Sequence, residues 1–306
     1  MEYDLILATG RSDPNTACIL AAAEAQGYSV CEVVPDAEDE PAVTWDPVSS
    51  RLEINGETIT ARGIFLRYDC FGPGGYTPNQ ARADRALAWF STLSSWAYAT
   101  PEVAFFNRNH SQPAAHKGYA MHRAAQLGVP IPETLFTNDR TAMARLGADD
   151  ALIAKPANGG TFTAELDQLD PEAWATGTAP SPAIVQEKLE YPEFRVYLIG
   201  GEPVVFETHA ATLDFRADRD SRTVWCDASV IPPGLLAGLR RHAADLGLDF
   251  CAYDLKTRKA TGELCYLEVN SGPMFSAFDK LANGALAAQM VNWLVARSQP
   301  QALAAE

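Results

Sequence analysis

The sequence predicts an α/β protein with more than one domain, opening on an open α/β layer. Three observations carry this. Asp4-Leu-Ile-Leu-Ala-Thr9, an Ala-rich stretch from Asn15 to Gln26, a helix-ending Gly27 and Tyr28-Ser-Val-Cys-Glu-Val-Val34 spell strand, helix and strand. Phe250-Cys-Ala-Tyr-Asp254-Leu-Lys256 and Cys265-Tyr-Leu-Glu268-Val-Asn270 are apolar runs with embedded acids, and the turn formers between them predict an antiparallel hairpin. A chain of 306 residues is also long enough for two or three cores, and its character changes near residue 105.

The elements follow in order. Asn55-Gly56 between Arg51-Leu-Glu-Ile54 and Thr58-Ile-Thr60 is a two-residue hairpin signal. Gly63-Ile-Phe-Leu-Arg67 ends a strand on an Arg, where open α/β sheets present ligand-contacting groups. Arg67 could hold a substrate carboxylate through two hydrogen bonds, or pair with Asp69 or another surface acid. Phe71 to Pro78 reads as a loop, and Asn79 to Thr100 as a helix whose Leu87, Phe90, Leu93 and Trp96 form a core stripe. Pro101 to Phe106 returns as a strand.

A helix is then expected from His116-Lys117 to Leu127, stopped by Gly128, followed by Val129-Pro-Ile-Pro-Glu-Thr134-Leu-Phe-Thr137. Leu152-Ile-Ala-Lys155-Pro156 is a short buried strand leading into a Gly159-Gly160 loop. Ala183-Ile-Val-Gln186-Glu187-Lys188-Leu189-Glu190 is another strand running into a linker. Glu193-Phe-Arg195-Val-Tyr-Leu-Ile199, Gly200-Gly201 and Pro203-Val-Val-Phe206 form a hairpin. Helices are expected from Pro233 to Leu246 and from Gly284 to Val295.

Composition narrows the function classes. A net charge of −15 argues against nonspecific binding to nucleic acid or an anionic membrane. The apolar runs fall well short of the roughly 18 to 20 residues that span a bilayer, and no basic region precedes the first of them, so a cytoplasmic protein is expected. The six cysteines lack any C-x-x-C and read as reduced, mostly buried thiols; the five histidines show no metal spacing.

The chemistry gathers on the acidic hairpin. Asp254 should lie near Glu268, and strict alternation predicts Tyr266, Glu268 and Asn270 on one face, with Cys265, Leu267 and Val269 on the other. Two carboxylates and an amide carbonyl are hard oxygen donors, a set that suits Mg2+; the alternative is an exposed hairpin with solvated acids. Lys117 at a helix start is badly placed for the helix dipole unless a phosphate shares that end. Lys155 leaving an apolar strand needs an anionic partner, and the adjacent Gly159-Gly160 loop can bring backbone N–H groups to phosphate oxygens. Arg195, Arg216 and Arg219 are candidates to clamp phosphate or a substrate carboxylate, or else belong to a salt-laced surface loop.

The order of these parts resembles the ATP-grasp superfamily. The resemblance rests on His116-Lys117 with Gly128-Val-Pro-Ile-Pro-Glu-Thr134, Ala154-Lys155-Pro156, Val185-Gln186-Glu187, Asp254, and Leu267-Glu268-Val-Asn270, over roughly residues 105 to 296. Arg67, Asn107-Arg108, Thr134-Leu-Phe-Thr-Asn138 and Asp214-Phe-Arg216 resemble patterns of RimK-type and graspetide-type ligases. It implies an N-terminal pre-ATP-grasp α/β domain (1–104), a first grasp lobe (105–185) and a second lobe with the Mg2+ site and C-terminal helix (186–306), with ATP between two α+β lobes. Lys117, Lys155, Gly159 and Gly160 would contact phosphates; Gln186, Glu187, Lys188 and Leu189 would form the hinge beside adenine, and Glu193 would reach the ribose. Asp254, Glu268 and Asn270 would hold Mg2+. Arg67, Asp214, Arg216 and Arg219 would bind substrate, with Arg216, Lys155 and Arg195 as catalytic groups.

The expected activity is an ADP-producing carboxylate-amine ligase working through an acylphosphate. With no basic cluster on the Gly200-Gly201 hairpin, a free amino acid or small peptide is favoured slightly over a ribosomal precursor peptide closed into ester or amide rings. A noncatalytic nucleotide-binding protein and a kinase of the same fold remain as alternatives. No nucleic-acid or membrane partner is expected, and a homodimer stays open.

Overall fold

The computed structural model describes residues 1–35, 40–68, 80–111, 116–146, 151–157, 163–166, 177–213, 218 and 220–296. Contacts divide the chain into two units: Met1–Arg108 with Met274–Glu306, and Asn109–Pro273.

In the first unit, β1 (Glu2–Ala8) leads into α1 (Pro14–Ala25), and β2 (Val30–Val33) returns parallel to β1. Asp13 caps α1 by accepting from the Asn15 N–H, and Pro14 supplies a preset φ at the first turn. β3 (Val43–Asp46), β4 (Arg51–Ile54) and β5 (Glu57–Leu66) continue the sheet in the order β2-β1-β5-β4-β3. The β4–β5 hairpin turns at Asn55 and Gly56, both left-handed (φ 52° and 80°), as its sequence predicts. α2 (Gln80–Ala99) precedes β6 (Ala104–Phe105), which pairs parallel to β5. Leu93 and Trp96 enter the core beside Ile6 and Ile64. Leu87 does not: it is 53% exposed, so the buried stripe of α2 is confined to the later turns.

The second unit begins with α3 (Lys117–Gln126). β7 (Thr134–Asp139), β8 (Leu152–Pro156), β9 (Ala164–Glu165) and β10 (Thr178–Glu187) form an antiparallel sheet of order β7-β10-β8-β9. Val185 on its inner face packs with Met143 and Leu146. β11 (Glu190–Ile199) and β12 (Glu202–His209) form the Gly200-Gly201 hairpin, with both glycines left-handed. β13 (Arg222–Cys226), α4 (Pro233–Asp245), β14 (Phe250–Thr257) and β15 (Leu264–Asn270) complete a sheet of order β13-β12-β11-β14-β15. One face of this sheet is core: Phe194, Val196, Leu198, Val205, Cys251, Tyr253 and Leu255 pack against Met121 and Ala124 of α3 and Leu239 and Ala243 of α4. His242 of α4, fully buried, ties these layers together through the Tyr253 hydroxyl (3.1 Å) and the Ala120 carbonyl (2.9 Å).

The β14–β15 pairing corrects one expectation. Asp254 faces Glu268, but Leu255 faces Tyr266, so Leu267 is an extra residue in a bulge. Alternation therefore shifts at Leu267. Tyr266 joins the core with Val269, rather than sharing a face with Glu268 and Asn270. Cys265 pairs with Lys256 instead of pointing into that core.

α5 (Ser276–Leu281) and α6 (Ala285–Ala296) return to the first unit, where α6 packs against α1, β1 and β5. The sequence reading places this last helix in the second lobe, whereas its apolar face covers the N-terminal sheet. The Asn15 carboxamide fixes the entry to α5, accepting from the N–H groups of Phe275 and Ser276 (both 2.9 Å). No described helix is long and apolar enough to cross a membrane.

Candidate active site

The face of the β13–β15 sheet opposite its core carries the candidate site. Directly opposed residues of antiparallel strands share a face, so the register builds rows across the sheet. Phe206, Arg195, Asp254 and Glu268 form one row; Thr208, Glu193 and Lys256 the next; Val204, Tyr197, Ala252 and Asn270 a third. Ala252, with its small side chain, lies between Tyr197 and Asn270.

Each acid of the central pair is held by its own cation. Arg195 donates from one terminal nitrogen to both Asp254 oxygens (2.9 and 3.2 Å) and from Nε to the Tyr197 hydroxyl (3.0 Å). Lys117, at the first turn of α3, reaches Glu268 at 3.0 Å. The Asn270 amide nitrogen donates to Asp254 at 3.2 Å. Burial raises the pKa of Asp254; Arg195 opposes the shift and Glu268 adds to it. Burial acts in the same direction on Glu268, but Lys117, Lys155 and Asn270 outweigh it and hold that carboxyl below its usual range.

Lys155 comes from the other sheet, facing Ile184 on β10. Its ammonium makes no hydrogen bond or ion pair among the described residues. Burial lowers its pKa, and it feels Glu268, Lys117, Asp254 and Glu193 electrostatically. A half-buried ammonium near these acids, with no hydrogen-bond or ion-pair partner among the described residues, is ready to take an anionic ligand.

The expected hinge residues are placed differently from one another. Gln186 is fully buried; its amide nitrogen donates to the Thr134 hydroxyl (2.8 Å), while its Oε1 has no partner among the described residues. The Glu187 carboxylate accepts from Arg258 Nε (3.0 and 3.2 Å) and from the Glu133 N–H (3.2 Å). Arg258 also donates to the Ile131 carbonyl (2.8 Å). Lys188 pairs with Glu165, and Leu189 is buried. The side chains of Glu187 and Lys188 are thus engaged by protein groups, and their backbone N–H groups donate to the carbonyls of Glu133 and Ala151 (both 2.9 Å).

Sequence reasoning missed Lys256 and Arg258. Lys256 is buried, 3.5 Å from Glu193, donates to the Leu213 carbonyl (3.1 Å) and lies 3.9 Å above the Tyr191 ring. The i, i+2 spacing of Asp254 and Lys256 on one strand was the available signal. Arg258 continues the same spacing but lies just past the end of that strand, among the turn formers. Arg67 lies in the first unit, its Nε donating to the buried carboxylate of Asp13 (2.9 Å) and a terminal nitrogen to Met274 Sδ (3.4 Å). Gly159, Gly160, Asp214, Arg216 and Arg219 lie outside the described residues.

The donors of Asp254, Glu268 and Asn270 are all oxygen or can present oxygen, and the two acids oppose each other across one strand pair. This set fits Mg2+, which favours one or two carboxylates with water and phosphate completing its shell. Among the described residues no group of three or more His, Cys, Asp or Glu forms a metal cluster, so a dedicated protein cage of the zinc type is not what this hairpin offers.

Among solved structures the chain has the fold of the ATP-grasp ligase PsnB complexed with a minimal precursor (TM-score 0.78, 21% identity, 98% of this chain and 100% of that one). It is also similar to the macrocyclase MdnC bound with precursor peptide MdnA from Microcystis aeruginosa MRC (0.69, 18%, 96% and 99%). A third is the VanG D-Ala:D-Ser ligase from Enterococcus faecalis (0.61, 13%, 97% and 99%). What is shared at these identities is the fold. No family model matches the sequence, and no curated protein does.

Proposed function

We propose that the protein is an ATP-dependent ligase that activates a peptide carboxylate and joins it to an amine or hydroxyl. The observation that carries this is the Asp254–Glu268 pair in cross-strand register, flanked by Lys117, Lys155 and Arg195. Phosphoryl transfer needs positioning and charge neutralisation rather than a covalent nucleophile on the protein, and these residues offer both. Bound Mg-ATP would supply the phosphoryl group that turns the carboxylate into an acylphosphate.

Asp254, Glu268 and Asn270 would hold the metal, and Lys155 and Lys117 the phosphates. The hinge backbone from Gln186 to Leu189 would face the base, and Glu193 the ribose. Arg195, held beside Asp254 by the Tyr197 hydroxyl, would steady charge developing at the reacting carbonyl; Arg216 is the second candidate for that role. Arg67, Asp214 and Arg219 would take part in substrate recognition.

The sequence slightly favours a small substrate. PsnB and MdnC are solved with precursor peptides, and the chain covers nearly all of both, which supports a peptide whose Asp or Glu side chain is joined to Lys, Ser or Thr. The test incubates the protein with Mg-ATP and a panel of such peptides, analysed by mass spectrometry. ADP, phosphate and a peptide lighter by one water per bond are expected. A phosphorylated peptide as the end product would reassign the protein as a kinase, and AMP would overturn the acylphosphate route.

A further inference from the structure

Both acids of the site are paired with cations of the chain, and those cations are among those a nucleotide phosphate would need. Asp254 and Arg195 are both largely buried (side chains 11% and 16% exposed), and Glu268 and Lys117 are half-buried (29% and 34%). An acid so placed costs free energy unless a positive group accompanies it. A metal ion entering alone would therefore compete with Arg195 for Asp254 and with Lys117 for Glu268. A phosphate entering alone would find Lys155 open to it, but would have to draw Lys117 and Arg195 from their acids. Only when both arrive does every charge find an opposite one.

We propose that Lys117 and Arg195 are exchangeable counter-ions that make metal and nucleotide binding mutually dependent. This exchange presupposes the ATP-dependent reading above and adds a property to it: each ligand binds weakly alone, and the two bind tightly together. Coupling of this kind is reciprocal, so it can be read from either ligand. Lys155 provides the internal control. It carries the same charge into the same site but forms no ion pair among the described residues, so its removal frees no carboxylate.

The test is Mn2+ binding to the nucleotide-free protein, followed by the electron paramagnetic resonance signal of free Mn2+, together with ADP affinity by calorimetry in EDTA and in Mg2+. The wild type should bind Mn2+ alone weakly, and ADP about tenfold or more tightly in Mg2+ than in EDTA. Lys117→Met should tighten Mn2+ binding alone by about tenfold, more than Lys155→Met does, and shrink the ADP ratio. Lys117 is half-exposed, so this variant leaves the core intact. Arg195→Met, if it folds, should act in the same direction. Equal effects of Lys117→Met and Lys155→Met, or an unchanged ADP ratio in Lys117→Met, would overturn the exchange while leaving the ligase reading in place. A wild type that binds no ADP even with Mg2+ would overturn the ligase reading and the exchange with it.

Discussion

Arg258→Met probes the joint between the hinge segment and the acidic hairpin. Arg258 makes two contacts to the Glu187 carboxylate, one to the Ile131 carbonyl and one to Glu263. Glu263 is 44% exposed on its side chain, so that arm is worth about 0–1 kcal/mol. The hydrogen bond from a charged donor to the Ile131 carbonyl adds about 1.5 kcal/mol. Glu187, with only 8% of its side chain exposed, would be left with the Glu133 N–H alone. Stranding a buried charge in this way costs about 3 kcal/mol or more. Arg258→Met should therefore lower the stability of the second unit by roughly 5 kcal/mol in urea unfolding of the full chain. Glu187→Gln should cost about 2 kcal/mol, because the amide oxygen still accepts from Arg258. In the double variant no buried charge is stranded, so the combined loss should fall short of the sum by about 2 kcal/mol. Loss of ADP affinity should accompany the single variants, since the same contacts set the hinge. A cost below about 1 kcal/mol for Arg258→Met, or strict additivity of the pair, would refute the role given to the Arg258–Glu187 pair.

Other expectations concern the same unit. Gly128 and Gly247 both follow helices with left-handed backbones (φ +76° and +70°), but an added Cβ meets nothing within 4 Å at Gly128 and would overlap the Asn109 carbonyl oxygen at Gly247. Gly128→Ala should cost about 1 kcal/mol and Gly247→Ala about 3 or more, by urea unfolding. Burial lowers the pKa of His242 from its ordinary 6.5, with the Ala120 carbonyl and Asp245 opposing the shift and Arg123 reinforcing it. The unfolded chain then binds the proton that the folded chain refuses, so this group's contribution is lost as pH falls below about 6.5. His242→Phe should be less stable at pH 7 but lose less between about pH 7 and pH 5 than the wild type does. Lys155→Met removes an ammonium that burial disfavours, so it should hold or raise the thermal midpoint while weakening Mg-ADP binding about tenfold or more.

Much of the fold was legible because turns are encoded locally. Asn55-Gly56, Gly200-Gly201 and the Thr257–Glu263 connection each carry the residues their backbone needs, and the strands on either side follow from apolar runs. The Asp254–Glu268 pair was legible for the same reason: a hairpin fixes which residues face each other. Partnerships between elements distant in sequence were not. Arg195 was visible as a cation, but that its partner is Asp254 depends on β11 lying beside β14, which no local signal states. Glu187 and Lys188 look like ligand groups in the sequence, and only the folded chain shows their side chains engaged by Arg258 and Glu165. Leu87 fits a helical stripe by spacing yet stands exposed, while the later Leu93, Trp96 and Ala97 are the residues of α2 buried in the core.

The bulge at Leu267 explains how one short strand serves two opposed demands. A residue buried like Tyr266, 1% exposed among Tyr253, Leu255 and the α3–α4 layer, contributes on the order of 2 to 3 kcal/mol through its apolar area. Glu268, two positions later, must lie on the opposite face to meet Asp254 and Lys117. Strict alternation puts residues two apart on the same face, so an unbulged β15 would bury the carboxylate in the core or turn the tyrosine out of it. One extra residue removes the conflict at the cost of a local interruption in the ladder. The interruption falls beside Asp254, where the alternation changes sense, and Glu268 and Asn270 then follow on the site face in ordinary register with Asp254 and Ala252. The metal-binding geometry proposed for this hairpin is thus set by the same packing requirement that anchors Tyr266.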